Sequence, residues 1–297
     1  MEKEESFDLW YRRETAEYVV SFRAMAGPCE VLIQSEREPE ARAIGEIVFQ
    51  EAKRIEIKYS RYRDDNIIHQ IHQHGPVEVD EETARLLDFA NTAYQLSDGD
   101  FDITSGVLRT LWDFTGKGTP PSRNAVKALL PSIGWEKVSW DGKILQVPDG
   151  MQVDFGGFGK EYAVDTALQL VAKSFSCPVL VNFGGDLAAT CKPLSRESWA
   201  VGIKQATATN TRASFRFEKG AIATSGNANR YIMHKGKKLS HILNPRTGWP
   251  VNRAPLSISA GMPQCLQAGL LSTLATLKGK DAETFLEAQG ITYWIQR

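Results

Sequence analysis

The amino-acid sequence predicts a mixed α+β fold built as one continuous unit, on three observations. Apolar residues recur at three- and four-residue spacing in several long stretches, which is the helical period. Short apolar runs bounded by Gly, Pro, Asn and Asp alternate with them, as strands do. No internal repeat, low-complexity tract or Pro/Gly/Ser-rich linker divides the chain. With 297 residues, 42% hydrophobic and 24% charged, the composition is ordinary globular usage and supplies a large core. Thirty-five Lys and Arg residues against 36 Asp and Glu leave a net charge of −1, which excludes a generic nucleic-acid or anionic-membrane binder held by its overall field.

In chain order, Val19 to Phe22 and Cys29 to Ile33 read as strands broken at Ala26-Gly27-Pro28. Ala41, Ile44, Ile47, Val48, Ala52 and Ile55 form one stripe of a helix over 38–55, and a second helix runs from Glu81 to Leu96, stopped by Ser97-Asp98-Gly99. Ser122 is placed to cap a short helix ending at Pro131, and Val138 to Trp140 with Ile144 to Val147 straddle Asp141-Gly142 as a hairpin. A helix over 160–175 leads into a buried strand, Pro178 to Phe183. Trp199 to Ile203, Ser214 to Phe217 and Ala221 to Thr224 read as strands, Leu266 to Leu277 and Ala282 to Ala288 as helices, and Thr292 to Ile295 as a last strand.

The first thirteen residues carry Glu2, Lys3, Glu4, Glu5 and Asp8 with no positive n-region and apolar core of a signal peptide, and no run approaches about 18 apolar residues. A cytoplasmic location is the expectation for the sequence as it stands. Cys29, Cys177, Cys191 and Cys265 lie far apart with no CxxC pair, so reduced, partly buried thiols are expected. His69, His72 and His74 are expected to be solvent-exposed loop residues, because no Cys or Asp spacing completes a metal set.

Four stretches with chemical potential end predicted elements: Asp100 to Gly106, Asp154 to Lys160, Asn182 to Asp186, and Thr224 to Asn227. Paired glycines let backbone N–H groups approach a ligand, and the second stretch opens a helix whose N-terminal donors suit a phosphate. Neither of two familiar nucleotide motifs is present. Gly159-Lys160 is followed by Glu161, which rules out a P-loop, and Gly157-Phe158-Gly159 lacks the third glycine of a Rossmann fingerprint. Ser240 to Pro250 packs His241 and Arg246 into one loop: an imidazole poised for proton transfer, and a guanidinium that clamps a phosphate or fixes the loop. Trp112, Phe155 and Trp249 are candidates to stack on a planar ring.

Six motifs together resemble the ApbE family of FAD:protein FMN transferases, from Met25 to about Gly290. They are Tyr59-Ser60-Arg61-Tyr62, Phe101-Asp102-Ile103-Thr104 through Trp112, Val153-Asp154-Phe155-Gly156-Gly157 through Asp165, Val181 to Asp186, Ala223-Thr224-Ser225-Gly226, and Ser240-His241 through Pro250. The resemblance implies a T-fold-like α+β domain over 21–297, after an N-terminal extension over 1–20, with FAD in an extended cleft and Mg²⁺ at its pyrophosphate. It implies transfer of FMN from FAD to a Ser or Thr hydroxyl of an acceptor flavoprotein, with release of AMP; relatives of this kind are often periplasmic and membrane-anchored. His241 falls on the family's SH motif and is the expected base. Met25, Phe101, Asp102, Lys160, Thr166 and Ile242 fall on FAD-contacting positions, and the Ala163 carbonyl and Thr273 hydroxyl on metal-ligand positions.

The sequence departs from the family in three places. Ala268-Gly269-Leu270-Leu271-Ser272-Thr273-Leu274 stands where A-D-A-L-A-T-A is usual, so Gly269 occupies the metal-binding Asp position. Gly159-Lys160-Glu161 replaces the common AKG, and Ile103 a common Pro. Losing an anionic ligand is expected to weaken Mg²⁺ binding unless Asp154, Asp186 or water fills the gap, and Gly269→Asp is expected to change the metal dependence. The rival reading is an FAD-binding, catalytically weak relative acting as a carrier or sensor.

Overall fold

Runs rich in Val, Ile and Phe pair, in chain order, into one eight-stranded antiparallel sheet. Its strands are β1 (Asp8–Arg12), β2 (Glu17–Ala24), β3 (Gly27–Ile33), β4 (Val179–Phe183), β5 (Asp186–Ala189), β6 (Gly220–Gly226), β7 (Ser257–Met262) and β8 (Thr292–Gln296). A computed structural model describes residues 6–73, 75–114, 118–203, 213–226, 231–234 and 236–297. The helices are α1 (Glu38–Tyr59), α2 (Ile67–His72), α3 (Glu81–Leu96), α4 (Arg123–Leu129), α5 (Gly159–Ser174), α6 (Cys265–Lys278) and α7 (Ala282–Gln289). The mixed α+β class expected from the periodicities is what is observed.

Helices α1, α5 and α6 lay their apolar stripes on one face of the sheet. Ile44, Val48, Val164 and Ala268 bury there with Val20, Val31 and Val181. On the other face Leu180, Leu187 and Ile222 are covered by the hairpin Trp199–Ile203 with Ala213–Phe217, whose Trp199 is 1% exposed. Burying an aromatic of that size contributes about 3 kcal/mol, which secures the hairpin without a longer interface. Between β3 and β4 the chain runs through α1 to α5, and this long excursion builds one wall of the cleft described below.

Two-residue turns bring backbone to that cleft. Gly184 and Gly185, both at positive φ (66° and 107°), close the β4–β5 hairpin between the paired Phe183 and Asp186. Met25 and Ala26 close the β2–β3 hairpin in the same way, at φ 50° and 59°, although neither is glycine. Met25 N–H donates to the Glu56 carboxylate at 2.6 Å, which ties the strained turn to α1.

A second device holds the helices together. The Glu82 carboxylate at the start of α3 accepts from both Arg54 terminal nitrogens (2.7 and 2.6 Å) and from Lys58 Nζ (2.6 Å) on α1, and from Tyr162 Oη (2.9 Å) on α5. Burial alone would raise its pKa, but these donors outweigh it and hold Glu82 at about 2 against an ordinary 4.5.

Several elements depart from the sequence expectation. Asp8–Arg12, within the expected N-terminal extension over 1–20, is the edge strand β1; it lacks clean apolar alternation, Leu9 packing on the core while Trp10 and Tyr11 are exposed. Ser257–Met262 carries no strand signal in the sequence, its small residues having weak strand propensity, yet it is an interior strand, mostly buried because α6 packs directly on it. His69 and His72 lie on α2 rather than in a loop: His72 Nε2 is 2.9 Å from the Val153 carbonyl oxygen, a structural partner. His74 lies outside the described residues. The four cysteines are free, as expected. Among the described residues no helix is long and apolar enough to cross a membrane.

Two stability predictions follow from these contacts. Ala26 is exposed and left-handed, so Ala26→Gly relieves about 1 kcal/mol of backbone strain, less part of that in unfolded-chain entropy, and raises the urea midpoint. Because the Glu82 pKa is depressed in the folded state, its stabilisation is complete above pH 4.5 and is lost as pH falls through 2. Glu82→Gln therefore costs about 2 kcal/mol at pH 7, discounted for partial exposure of Arg54, and its denaturation curve converges on wild type as the pH approaches 2.

Candidate functional site

The turns that end separate elements converge on one cleft of about 510 Å³. Met25 and Ala26 enter from the β2–β3 turn, Asp100 to Ile103 from the segment after α3, and Gly156, Gly157, Lys160 and Glu161 from the start of α5. Gly184 and Asp186 come from β4–β5, Thr224 to Gly226 from β6, His241 to Leu243 and Pro245 from the loop after the strand Lys237–Ser240, and Thr273 from α6. A larger cavity of about 770 Å³ shares Pro28 and Gly184 with it but holds none of the His241 loop or α6. The convergence of expected motifs, not size, marks the smaller one as the site.

Helix α5 points an N-terminus without a side-chain cap at this cleft, leaving amide donors and the positive end of the helix dipole for an anion. Lys160 stands in its first turn and pairs with Asp186, whose other oxygen accepts from Thr224 N–H at 3.2 Å. Burial would lower the Lys160 pKa, but Asp186 and Glu161 outweigh it and keep the ammonium charged. Asp154 accepts from Gly156 N–H at 2.8 Å and from Arg61 Nη1 at 2.7 Å, and Arg109 Nε lies 3.5 Å away.

Glu161 behaves differently. It is 7% exposed and makes no hydrogen bond or ion pair to another residue among the described ones. Burial, with Asp186 nearby, pushes its carboxyl up to about 8. Ser225 Oγ lies 2.8 Å from Ser272 Oγ and 2.9 Å from Thr273 Oγ1, a small hydroxyl cluster on the same wall.

Of the site residues expected from sequence, His241, Met25, Phe101, Asp102, Lys160, Ile242 and Thr273 line the cleft together. Thr166 and Ala163 do not. The Thr166 hydroxyl turns back on its own helix, donating to the Tyr162 and Ala163 carbonyls at 3.1 and 3.3 Å, and Ala163 is wholly buried. Asp102 lies at the rim, but its carboxylate is committed to structure: Oδ1 accepts from Thr104 N–H (2.8 Å) and Oγ1 (2.6 Å), and Oδ2 from Trp135 N–H (3.2 Å). Burial raises its pKa.

Arg246 is the loop-fixing kind, bound to Asp98 and 3.5 Å from Asp100, and it does not line the cleft. Trp112 donates to the Gly248 carbonyl at 3.0 Å and packs on Phe114 and Trp249, and Phe155 is 1% exposed. None of the three aromatics proposed for ring stacking lines the cleft. Asn227 lies outside the described residues.

Asp154 and Asp186, considered as substitutes for the ligand missing at Gly269, are both already paired with cations. Gly269 is instead met by Glu161: a Cβ at 269 would sit 2.7 Å from Glu161 Cγ and Oε1. Gly269→Asp on its own therefore pushes one carboxylate into another and is no simple restoration. Arg109 and Glu161 are cleft-lining charges whose roles sequence spacing did not show. Glu161 alone left a visible sign, in the departure from AKG.

Among the described residues no group of three or more His, Cys, Asp or Glu side chains forms a metal cage.

The profile of the ApbE family matches residues 25–295. A FAD:protein FMN transferase of Haemophilus influenzae is 24% identical over 244 residues, which span 77% of this chain and 70% of the relative. One of Chlamydia pneumoniae is 29% identical over 246 residues, 80% of this chain and 76% of the relative. The crystal structure of the ApbE protein of Thermotoga maritima superposes with a TM-score of 0.86 at 30% identity, covering 94% of each chain. The apo flavinyl transferase ApbE of Pseudomonas stutzeri shares the fold, with a TM-score of 0.80 at 22% identity over 97% of this chain and 91% of that one.

Lys160→Met leaves Asp186 buried without its cation and lowers unfolding stability by about 3 kcal/mol, measured in urea, while Lys160→Met with Asp186→Asn recovers most of that loss.

Proposed function

The chain belongs to the ApbE family, and on that premise we propose that it transfers the FMN half of FAD to a hydroxyl of an acceptor flavoprotein. One observation carries this reading: turns from six remote parts of the sequence meet in a single cleft that holds an open helix N-terminus, a lysine and His241. Such a cleft suits a diphosphate at one point and a proton acceptor at another. The relatives named above are transferases, and nothing among them supports the carrier or sensor reading.

In the proposed reaction the acceptor Ser or Thr oxygen forms a bond to the phosphorus of the FMN half. The bond from that phosphorus to the bridging oxygen breaks, and AMP leaves with that oxygen. His241 takes the hydroxyl proton as the oxygen attacks. The loop that carries His241 is rigid enough for this. Asn244 N–H donates to the Trp249 carbonyl (2.9 Å), Gly248 N–H to the Asn244 carbonyl (2.8 Å), and Arg246 ties the loop to Asp98. Backbone donors at the start of α5 and the Lys160 ammonium hold the pyrophosphate in place, which lowers the entropic part of the barrier.

The family also implies Mg²⁺, and the donor chemistry fits it: hard oxygens, including a buried carboxylate with no donor from another described residue, border the place where a phosphate would lie. Of the two family positions, the Thr273 hydroxyl lines the cleft and would hold it, whereas Ala163 is buried behind the wall. When bound, the cation neutralises charge on the phosphate oxygens.

His241→Ala abolishes transfer, by at least about 100-fold, while FAD affinity stays within about threefold. Incubation with FAD, Mg²⁺ and an acceptor domain, followed by chromatography for AMP and mass spectrometry for the FMN adduct, checks this. Undiminished adduct formation removes His241 as the base.

A further inference from the structure

Glu161 is the one carboxylate lining the cleft to which no other described residue donates. Resting on the reading that this cleft holds a divalent cation, we propose that the Glu161 side chain supplies the carboxylate metal ligand that position 269 lacks, so that the ligand has moved from helix α6 to helix α5. Its geometry is set by the way the two helices meet. Asp165 of α5 accepts from the Cys265 and Leu266 amides at 2.8 and 2.9 Å, which pins the N-terminus of α6. One turn back along α5 is Glu161, and one turn on along α6 is Gly269; they face each other across the same seam. The absent Cβ of Gly269 leaves the space that the Glu161 carboxylate fills, with Oε1 2.7 Å from where that Cβ would be. A further turn along α6 stands Thr273, whose hydroxyl lines the cleft beside Ser225.

Energetics point the same way. Burying a carboxylate to 7% exposure with no donor from another described residue carries a desolvation cost. The nearby Lys160 is already committed to Asp186. A hard cation bound between Glu161, the Thr273 hydroxyl and a substrate phosphate offsets that cost. The two departures from the family pattern, Gly at 269 and Glu at 161, are then a single exchange, since an Asp at 269 and a Glu at 161 would compete for one space.

The test is Mn²⁺ binding to the full chain, followed by the loss of the free-ion EPR signal with saturating FAD and by Mg²⁺ competition. Glu161→Gln is expected to weaken Mn²⁺ binding at least tenfold while FAD binding without metal stays within threefold. The exchange variant carrying Glu161→Gly and Gly269→Asp is expected to return Mn²⁺ affinity to within threefold of wild type. In metal-free buffer Glu161→Gln melts no lower than wild type, because no other described residue donates to the carboxyl it replaces, and the melting shift that Mg²⁺ gives to wild type is lost. A ligand role is overturned if Glu161→Gln binds Mn²⁺ within twofold of wild type, or if the exchange variant binds no better than Glu161→Gln. If Glu161→Gln does not fold, the exchange variant decides alone: affinity near wild type supports the relocation, and a tenfold loss overturns it. The affinity ratio is independent of turnover. A wild type that binds Mn²⁺ through Glu161 yet forms no adduct and no AMP counts against the transferase reading, not against the ligand.

Discussion

The contact on which the site most depends is the Asp165 carboxylate capping α6 through two backbone amides. It is half-buried, and desolvation raises its pKa even as the two amides oppose the rise. Helix α6 otherwise begins without a side-chain cap of its own, its N-cap being Gln264. By borrowing a cap from α5 it is locked in rotation and in register. This brings Gly269 against Glu161, sets Thr273 beside Ser225, and turns the remaining apolar face of α6 onto β6 and β7. A shift of one residue along either helix would turn these groups by about 100° and take the hydroxyl and the carboxylate out of the cleft.

Around that seam the cleft follows a simple electrostatic rule. Buried carboxylates are supplied with donors from protein: Asp154 with Arg61 and a backbone amide, Asp186 with Lys160 and Thr224 N–H, Asp102 with Thr104 and Trp135. These pairs hold the turns in place and leave the walls nearly neutral. What is left for a ligand is the open end of α5 with the Lys160 ammonium beside it, and the oxygens of Glu161, Ser225 and Thr273. An anionic diphosphate and a hard cation complement that remainder together better than either does alone.

Much of this was legible in the chain. The helices α1, α3, α5 and α6 were visible because each keeps a helical-period apolar stripe over three turns or more. Strands β2, β3 and β4 were visible through Val and Ile runs ending at Gly or Pro. Strand β7 was not, because Ser, Ala and Gly owe their place there to close packing by α6 rather than to their own preference. In the site, cleft membership of His241 and Lys160 came through motif order. The burial of Trp112 and Phe155 did not, since a large aromatic next to a functional motif reads the same whether it faces ligand or core. Thr166 illustrates a further limit: a helical threonine can aim outward or bond its own preceding carbonyls, and only the neighbours select one.

By itself, the sequence determined the class of fold, the order of its elements and which turns carry chemistry, because periodicity and turn residues are local properties written in short windows. Tertiary structure alone decided which carboxylates are neutralised and which is left open. Glu161 and Gly269 lie more than a hundred positions apart, and their separate departures from the family pattern have no visible relation until two antiparallel helices put one side chain into the space the other lacks. Charge pairing and excluded volume act through distance in space, and no window of the chain contains that distance.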